Sequence, residues 1–387
     1  MKTLRPATAL STVLCLLAAT LPAAFSQDTP TITVRKGDAV SLAVSAISGA
    51  EGSAVQSVLQ NDLSLSGWFS MAAPGSASYV VSGAAAGGEL RGEVKDRSGS
   101  TVLSGTYSGS ARSRAHQFAD EIVETLTDNP GIATSTIAFV ATRSGKKEIY
   151  TADYDGANVK QLTRDGVISV APAISPDGGK LAYTGYQSGY ADIYLIDLAN
   201  GSRNRIIKFP GTNSGAAFSP DGGRLACTIS KDGNPELYVV GSNGSGARRL
   251  TRTRGVESSP SWSPDGREIA YSSDEGGSPQ LFRVPSGGGQ GRKINTGYGY
   301  CTEPSWSPDG RKIAFTARTG GFSIAMVELS SGTSKVLATG ENPEWGANSR
   351  HVIYSTGSAL VLLDTQSGRP TTVVSDLGKI SEPTWSR

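Results

Sequence analysis

The sequence of 387 residues has few of the side chains that most often catalyse reactions or hold metals. It contains two histidines, His116 and His351, and neither has a second histidine or a cysteine near it, so a zinc site has little support. The G-x-S-x-G motif that serine hydrolases of the α/β type need is absent. We therefore predict no catalytic residues, no metal and no cofactor.

Cysteine is also scarce, with three in the chain. Cys15 lies inside an apolar run near the N-terminus rather than at its end, which argues against a lipoprotein anchor. Cys227 falls in a predicted strand and Cys301 in a predicted loop of a different repeat. We expect two isolated thiols rather than a disulfide.

Neither sign of charge dominates, since 36 Lys and Arg face 34 Asp and Glu. Lys2 and Arg5 precede an apolar run over residues 7–23 and small residues before Gln27, the pattern of a cleavable secretory signal peptide. Without Lys2 and Arg5 the basic count falls to 34 and equals the acidic count, so an exported chain has no bulk field for nucleic acid. No later apolar run is long enough to span a membrane, and we expect an exported, soluble protein.

An internal repeat accounts for most of the sequence after residue 131. The turn sequence SPDG occurs four times at a spacing of 44 residues, and two degraded copies follow at Trp345 and Trp385. The four copies begin at Ser175, Ser219, Ser263 and Ser307. Pro, Asp and Gly in this order suit a hairpin turn, and that role explains the four aspartates without a catalytic one.

Each repeat has the pattern of four short β-strands. The turn leads into an apolar triplet such as residues 269–271, and a polar loop then precedes a strand with an aromatic or aliphatic centre. A second Gly- or Asn-containing turn leads to a last short strand such as "RRLT". Four strands in about 40 residues is the period of a β-propeller blade.

The two ends of the repeat region complement each other. The region opens with an apolar triplet at Ile137 that no turn precedes, and closes with a strand at Trp385 that no triplet follows. Pairing Trp385 beside Ile137 closes six blades into a ring without an open sheet edge. We therefore predict an all-β six-bladed β-propeller; a linear β-solenoid, the alternative, does not predict this half-blade offset.

The segment before the propeller lacks the repeat and has the pattern of a small α/β domain. Strands are predicted at 31–37 and 39–47, helices at 52–65 and 110–127, and a three-stranded meander between the helices. The predicted organisation is a signal peptide at 1–26, an N-terminal α/β domain at 27–131 and the propeller at 132–387.

Three motifs of this segment resemble the TolB family, the periplasmic component of the Tol–Pal system of Gram-negative bacteria. They are "NDLSLSGWF", "YVVSGA" and "AHQFADEIVETLTDNPGIATSTIAFV", followed by propeller repeats. The resemblance covers essentially the whole chain after the signal peptide, although the link between residues 69 and 79 is shorter than the family usually has. It implies a periplasmic, non-enzymatic adaptor that acts as a monomer in outer-membrane integrity and constriction at cell division.

One face of the predicted disc is the candidate binding surface. The connections between the second and third strands of each blade, and between successive blades, are irregular, and such loops on a rigid scaffold usually carry binding. The residues singled out there are Tyr298, Tyr300, Arg254, Glu257, Glu303 and Asn342. The resemblance implies that this face receives a Pal-like peptidoglycan-associated lipoprotein.

The resemblance also implies that the mature N-terminus contacts a TolA-like inner-membrane protein. The matching segment covers residues 27–37, in which Thr31, Ile32, Thr33 and Val34 could pair as an added β-strand. Two other readings stay open from the sequence. One is an exported propeller enzyme, such as a polysaccharide lyase or a peptidase-associated domain, and the other is a TolB-like binder of another exported protein or a glycan.

Overall fold

The computed structural model describes residues 39–386, so the signal peptide predicted at 1–26 and the strand predicted at 31–37 lie outside it. Its first part is a five-stranded sheet with two helices. The elements in chain order are β1 (Val40–Val44), α1 (Gly52–Leu65), β2 (Phe69–Met71), β3 (Tyr79–Ala86), β4 (Glu89–Asp96), β5 (Thr101–Ser108) and α2 (Ala111–Thr127). The strand order is β2-β1-β3-β4-β5, with β1 parallel to both neighbours and the β3–β5 meander antiparallel.

Apolar spacing and end signals fix the two helices. In α1, Val55, Leu59 and Leu63 follow one another at intervals of four and are fully buried. Helix α2 begins after Ser110, whose side chain accepts a hydrogen bond from the Ser113 N–H, and ends at Asp128 in a left-handed conformation. We name the region from β1 to α2 the α/β part; its elements agree with the predicted helices and meander, and add the short strand β2.

Within residues 39–386 the remaining strands form six four-stranded antiparallel sheets, which confirms the six-bladed propeller. Each blade runs from strand A at the axis to strand D at the outside. Blade one is β29 (Ile380–Trp385), β6 (Thr136–Ala141), β7 (Glu148–Asp153) and β8 (Lys160–Gln161). Blade two is β9 (Ser169–Ile174), β10 (Lys180–Gly185), β11 (Asp192–Asp197) and β12 (Arg203–Ile207), and blade three is β13 (Asn213–Phe218), β14 (Arg224–Ile229), β15 (Glu236–Gly241) and β16 (Arg248–Arg249).

The other three blades follow the same order. Blade four is β17 (Glu257–Trp262), β18 (Glu268–Ser273), β19 (Gln280–Pro285) and β20 (Arg292–Lys293), and blade five is β21 (Cys301–Trp306), β22 (Lys312–Arg318), β23 (Phe322–Glu328) and β24 (Ser334–Thr339). Blade six is β25 (Glu341–Trp345), β26 (His351–Ser355), β27 (Leu360–Asp364) and β28 (Pro370–Val374).

The ring closes in blade one, where the last strand pairs with the first. Trp385 lies opposite Ile137 and Ile380 opposite Ala141 in the antiparallel pair of β29 and β6. Beyond the strands, the Ser386 hydroxyl accepts a hydrogen bond from the Thr136 N–H at 3.0 Å. The half-blade offset in the sequence therefore corresponds to a sheet built from both ends of the repeat region.

The SPDG turns owe their shape to a repeated set of local hydrogen bonds. In the first copy the Ser175 hydroxyl donates to Asp177 Oδ1 and accepts from the Lys180 N–H at 2.9 Å, while Gly178 takes a φ of 68°. The serine hydroxyl lowers the pKa of Asp177, as the equivalent bonds do for Asp221 and Asp265. Each aspartate thus stabilises its own turn.

The α/β part and the propeller share one hydrophobic core and a buried polar contact. In that contact Asp62 of α1 accepts hydrogen bonds from His116 of α2 at 2.7 Å and from Tyr154 of blade one at 2.9 Å. Arg112 donates to both oxygens of Asp155 at 2.8 Å. A single buried apolar cluster runs from α1 into blades one and six. Because this core is continuous across residue 131, the domain boundary predicted there stays a prediction.

A second contact joins the α/β part to blade six. The Arg350 guanidinium pairs with Asp364, donates to the Gly67 carbonyl at 2.6 Å and lies 4.2 Å from the Trp68 ring centroid. Gly67 has a φ of 70°, and a side chain there would collide with the Arg350–Asp364 pair. These polar contacts all involve A–B or C–D turns of blades one and six, so we name that side of the disc the turn face. The opposite side, formed by the B–C and D–A connections, is the loop face.

Candidate functional site

An axial channel of ≈ 520 Å³ runs between the six A strands. Five of these strands carry a proline on the channel wall: Pro172, Pro260, Pro304, Pro343 and Pro383. Each A strand pairs with its B strand on one side and presents its other edge to the axis. Proline removes an unpaired N–H from that edge, which explains why it is tolerated in an inner strand.

The residue before each of these prolines has a left-handed backbone. Together with the glycine at the same position of blade three, they form a ring with φ between 50° and 62°: Ala171, Gly215, Ser259, Glu303, Asn342 and Glu382. The A–B register shifts at each of these positions, so every A strand has a β-bulge facing the channel.

Side chains from neighbouring strands and blades satisfy the N–H groups of these bulges. The Gly215 N–H donates to Thr184 Oγ1 at 3.1 Å, and the Glu303 N–H donates to Ser272 Oγ at 3.2 Å. Blade one has Val140 at the position equivalent to Thr184 and so offers no hydroxyl to the bulge of blade two. The Ala171 N–H of that bulge donates to Glu382 Oε2 of blade one at 2.6 Å instead. Hydrogen bonds between neighbouring blades therefore tie the channel wall together.

The charge of the channel is concentrated on one side. Glu303, Glu344 and Glu382 line it on blades five, six and one, whereas blades two to four contribute Ala171, Gly215 and Ser259 at the ring. Burial raises the pKa of Glu303, although hydrogen bonds from the Thr316 hydroxyl and the Asn342 N–H oppose the shift. One half of the channel is thus acidic and the other half is neutral.

The structure brings two of the six predicted loop-face residues together on the channel wall. The Asn342 N–H donates to Glu303 Oε2 at 3.0 Å. Tyr298 packs on Phe315 with ring centroids 6.0 Å apart, and Tyr300 lies 6.1 Å from Phe322. Both tyrosines are half-buried outside the channel.

Arg254 is exposed on a D–A loop and likewise does not line the channel. A partner-binding role for these residues stays a prediction, and Thr31, Ile32, Thr33 and Val34 lie outside the described residues.

The structure places Glu257 inside blade four, where its side chain is fully buried, and a partner-binding role for it stays a prediction. Its Oε1 accepts hydrogen bonds from Thr253 Oγ1 and Ser273 Oγ, both at 2.7 Å. Burial, with the nearby Glu236 adding to it, raises the pKa of Glu257 to about 7. The Glu257 side chain holds the D–A loop before β17 through the hydrogen bond from Thr253, and it does not contact solvent.

Sequence reasoning missed an apolar patch on the loop face. Tyr190 is 71% exposed, Tyr186 and Ile168 are exposed beside each other, and the Tyr186 N–H donates to the Ile168 carbonyl at 3.1 Å. Val256 and Phe322 are further exposed apolar side chains of the same face. The signal in the sequence was the pair of tyrosines that flank the B–C loop "YQSGY".

A second missed feature is the acid that begins three of the C strands. Glu148 Oε1 accepts from the Gly166 N–H at 2.9 Å, and Glu236 Oε1 accepts from the Thr253 N–H at 2.8 Å. Asp192 Oδ1 accepts from the Asn213 amide at 3.2 Å. Buried carboxylates therefore anchor the D–A loops, and an acid before an aliphatic-aromatic pair, as in "EIY" and "ELY", is their signal.

Residues 39–386 contain no group of three or more His, Cys, Asp or Glu side chains placed to hold a metal. In the same part of the chain Cys227 and Cys301 are both buried and free. Burial raises the pKa of the Cys227 thiol to about 12, so it stays protonated. No helix between Ala39 and Ser386 combines the length and the apolar character that a membrane span requires.

These features define a class of protein: a closed six-bladed propeller with an α/β part docked on its turn face and an acidic channel along its axis. Residues 123–387 match the family described as "TolB beta propeller domain", and because this is more than half of the sequence, the chain belongs to that family.

Comparison with individual known proteins extends the similarity from the propeller to the α/β part. The chain is similar to the crystal structure of TolB from Acinetobacter baumannii with a TM-score of 0.81 and 26% identity, covering 90% of this chain and 97% of that one. It is 48% identical over 86 residues to "Protein TolB homolog" of Chlorobium luteolum, covering 21% of this chain and 20% of that protein. It is 50% identical over 66 residues to "Tol-Pal system protein TolB" of Geobacter sulfurreducens, covering 17% and 15%. The matched stretches are thus about a fifth or less of the length of these two relatives.

Proposed function

We propose that this protein is a non-enzymatic binding component of a Tol–Pal-type envelope system in the periplasm. Its loop face would bind a Pal-like peptidoglycan-associated lipoprotein, in support of outer-membrane integrity and constriction at cell division. The observation that carries the proposal is the loop face itself, which combines exposed aromatic side chains with the axial channel, in a chain of the TolB propeller family.

The geometry favours a partner with a protruding segment. The bulged A strands make a rigid wall, so a partner entering the channel meets little that must be ordered on binding. Aromatic side chains of the loop face such as the exposed Tyr190 and the half-buried Tyr300 are of the type that dominates interface energies. Glu303 and Glu382 would favour hydrogen-bond donors or positive charge on the entering segment.

Binding of the soluble domain of the native organism's Pal-like lipoprotein, measured by titration calorimetry, tests this proposal. Substitution of both Tyr190→Ala and Tyr300→Ala should weaken the complex at least about tenfold, because each truncation removes an aromatic contact. Val336→Ala is the matched control, since Val336 is 47% exposed on the outer strand β24 and away from the loop face.

A folded wild-type protein that binds no such lipoprotein would contradict the proposal. Equal losses for the tyrosine pair and for Val336→Ala would contradict the assignment to the loop face. A separate part of the proposal is that residues 27–37 bind a TolA-like protein as an added strand through Thr31, Ile32, Thr33 and Val34. A Val34→Pro change should abolish that contact in a pull-down and leave lipoprotein binding intact, because proline cannot donate to a β-ladder.

A further inference from the structure

Two buried glutamates meet at the junction of blades three and four. Glu236 begins β15 of blade three, Glu257 begins β17 of blade four, and both side chains are fully buried. Their carboxyl groups are hydrogen-bonded to each other. Two ionised carboxylates offer acceptors and no donor, so this contact requires a proton on one of them. We name the two residues the glutamate pair.

The remaining hydrogen bonds place that proton on Glu257. Glu236 is supplied with donors, since Arg249 Nη2 and the Thr253 N–H donate to its Oε1 at 2.6 and 2.8 Å and the Thr251 hydroxyl also donates to it. Glu257 Oε1 accepts from two hydroxyls, but no N–H or hydroxyl group of residues 39–386 donates to its Oε2. Donors and positive charge favour the ionised form of Glu236, so Glu257 Oε2 holds the proton and donates it to Glu236.

The preceding junctions show which group this proton replaces. Asn213 begins the A strand of blade three and Ser169 that of blade two, the place that Glu257 takes in blade four. In all three the backbone N–H donates to the carbonyl just before the acid of the previous blade. The Asn213 amide donates to that acid, Asp192, at 3.2 Å. The proton on Glu257 therefore supplies a hydrogen bond that an amide makes permanently one blade earlier.

The glutamate pair holds the D–A loop of residues 250–256 through Thr253. The Thr253 N–H donates to Glu236, its hydroxyl donates to Glu257 at 2.7 Å, and the same hydroxyl accepts from the Gly255 N–H at 3.0 Å. Two ionised carboxylates in one buried site repel each other strongly. Because Thr253 is bonded to both, a separation of the two carboxylates must displace the loop.

We propose that the glutamate pair is a proton-dependent latch: with the proton on Glu257 the loop 250–256 is held closed, and loss of the proton separates the carboxylates and releases Thr253. Burial, with the nearby Glu236 adding to it, raises the pKa of Glu257 to about 7, so the latch responds near neutral pH. The other charged and ionisable groups around the pair are Asp232, Tyr238 and Arg249 of blade three, Arg252 and Arg254 of the loop, and Tyr271, Asp274 and Glu275 of blade four. The pKa values of both tyrosines are raised, so neither loses its proton near neutral pH.

The direction of the pH effect follows from the two loop states. In an open loop Glu257 meets water and titrates near its ordinary value of about 4.3, whereas in the closed loop it keeps its proton up to about pH 7. Between these values the closed state binds one more proton than the open state. The ratio of closed to open loop should therefore fall by about tenfold for each pH unit in this window and change little above it.

Hydrogen exchange followed by mass spectrometry tests the latch. After correction for the intrinsic pH dependence of exchange, the protection of residues 250–256 should fall at least about tenfold between pH 5.5 and 7.5. The loop 208–212, which precedes Asn213 and its permanent amide donor, is the internal reference and should keep constant protection. In infrared difference spectra the signal of a protonated carboxyl should disappear over the same pH range.

Glu257→Gln keeps the size of the side chain and provides an amide donor toward Glu236, as Asn213 does toward Asp192. Its loop should stay protected at both pH values, and the infrared signal should be absent. Glu275→Gln is the matched control, because Glu275 is an exposed acid of the same blade, and this variant should behave like wild type.

Constant protection of the wild-type loop, an equal change in the loop 208–212, an unchanged pH dependence in Glu257→Gln or a lost one in Glu275→Gln would each overturn the proposal. Arg254 and Val256 are exposed on the loop face, so a lipoprotein bound there would meet an ordered loop at acid pH and a loosened one above neutral pH. This consequence rests on the proposed function. The exchange experiment needs no partner, so the latch and the lipoprotein contact can fail separately.

Discussion

The two histidines occupy opposite electrostatic environments. Burial by itself would lower the pKa of His116, but the hydrogen bond and charge of Asp62 outweigh it and the pKa is raised. For His351 burial dominates, with Asp364 and Arg350 acting in opposite directions, and its pKa falls to about 4. One histidine therefore gains from protonation in the folded state and the other resists it.

This contrast predicts the pH dependence of stability. An unfolded histidine titrates near 6.5, so between pH 6.5 and about 4 the unfolded state takes up the proton that His351 refuses. Through this group the free energy of unfolding should fall by about 3 kcal/mol over that window. Denaturant unfolding of His351→Gln at pH 7 and pH 4.5 should show a smaller acid loss than wild type.

His116→Gln serves as the control for that measurement, with the opposite sign. Its raised pKa contributes stability that is present below pH 6.5 and lost as pH rises through the folded value, so its removal should increase the acid loss. An identical pH profile for wild type and His351→Gln would show that His351 is not buried in the neutral form.

At the scale of elements, the six bulged A strands are the repeated device of the fold. Each places one left-handed residue at the axis, and five of the six are not glycine. For an L-residue that conformation costs about 1–2 kcal/mol, so the channel wall is built at some expense of stability. The hydrogen bonds that neighbouring side chains make to the bulge N–H groups offset part of that cost.

A matched pair of substitutions tests this strain. Ala171→Gly should raise the free energy of unfolding by about 1 kcal/mol, because the left-handed cost exceeds the added entropy of the unfolded chain. Gly215→Ala should lower it by a similar amount, and since no atom lies within 4 Å of the added methyl group, backbone strain is the cause. Urea unfolding of both variants measures the difference; changes of the same sign would contradict the interpretation.

The sequence predicted the strands of each blade but not their bulges or their buried acids. SPDG and the apolar triplets mark turns and B strands through local chemistry, and the pairing of β18 with β19 follows from them. Whether Glu257 points to solvent or inward depends on strand register, and a shift of one residue reverses the direction of every side chain. A single chain's pattern at a strand end does not determine that register, so the sequence did not predict that Glu257 is buried.

At the scale of the whole molecule, closure of the ring rests on a few residues of β29. Trp385 is 2% exposed, and its indole N–H donates to the Trp345 carbonyl of blade six at 2.5 Å. The same residue pairs with Ile137 of blade one. One side chain therefore links the closing sheet to the neighbouring blade.

Trp385→Ala should lower the free energy of unfolding by about 3–5 kcal/mol, as expected for loss of a buried large aromatic side chain. If the pair of β29 and β6 opens early in unfolding, the unfolding rate should also rise. Tryptophan fluorescence after a jump in denaturant measures this rate. Tyr190→Ala is the control, because Tyr190 is 71% exposed and contributes little to the core. A loss below about 1 kcal/mol would show that closure does not depend on this contact.

Ring closure could be predicted because the offset between Ile137 and Trp385 is a property of the repeat. The position of the α/β part could not, since its contacts through Asp62 and Gly67 join unrelated segments far apart in the chain. Sequence repeats determine neighbours within a ring, whereas docking depends on the fit of two finished surfaces.

The α/β part contacts blade one through Arg112 and blade six through Gly67, and these are the two blades that adjoin at Trp385. A mechanical load applied through this part would therefore be delivered to the seam where the circle is fastened. The other four blades, with most of the exposed loops, would carry little of that tension.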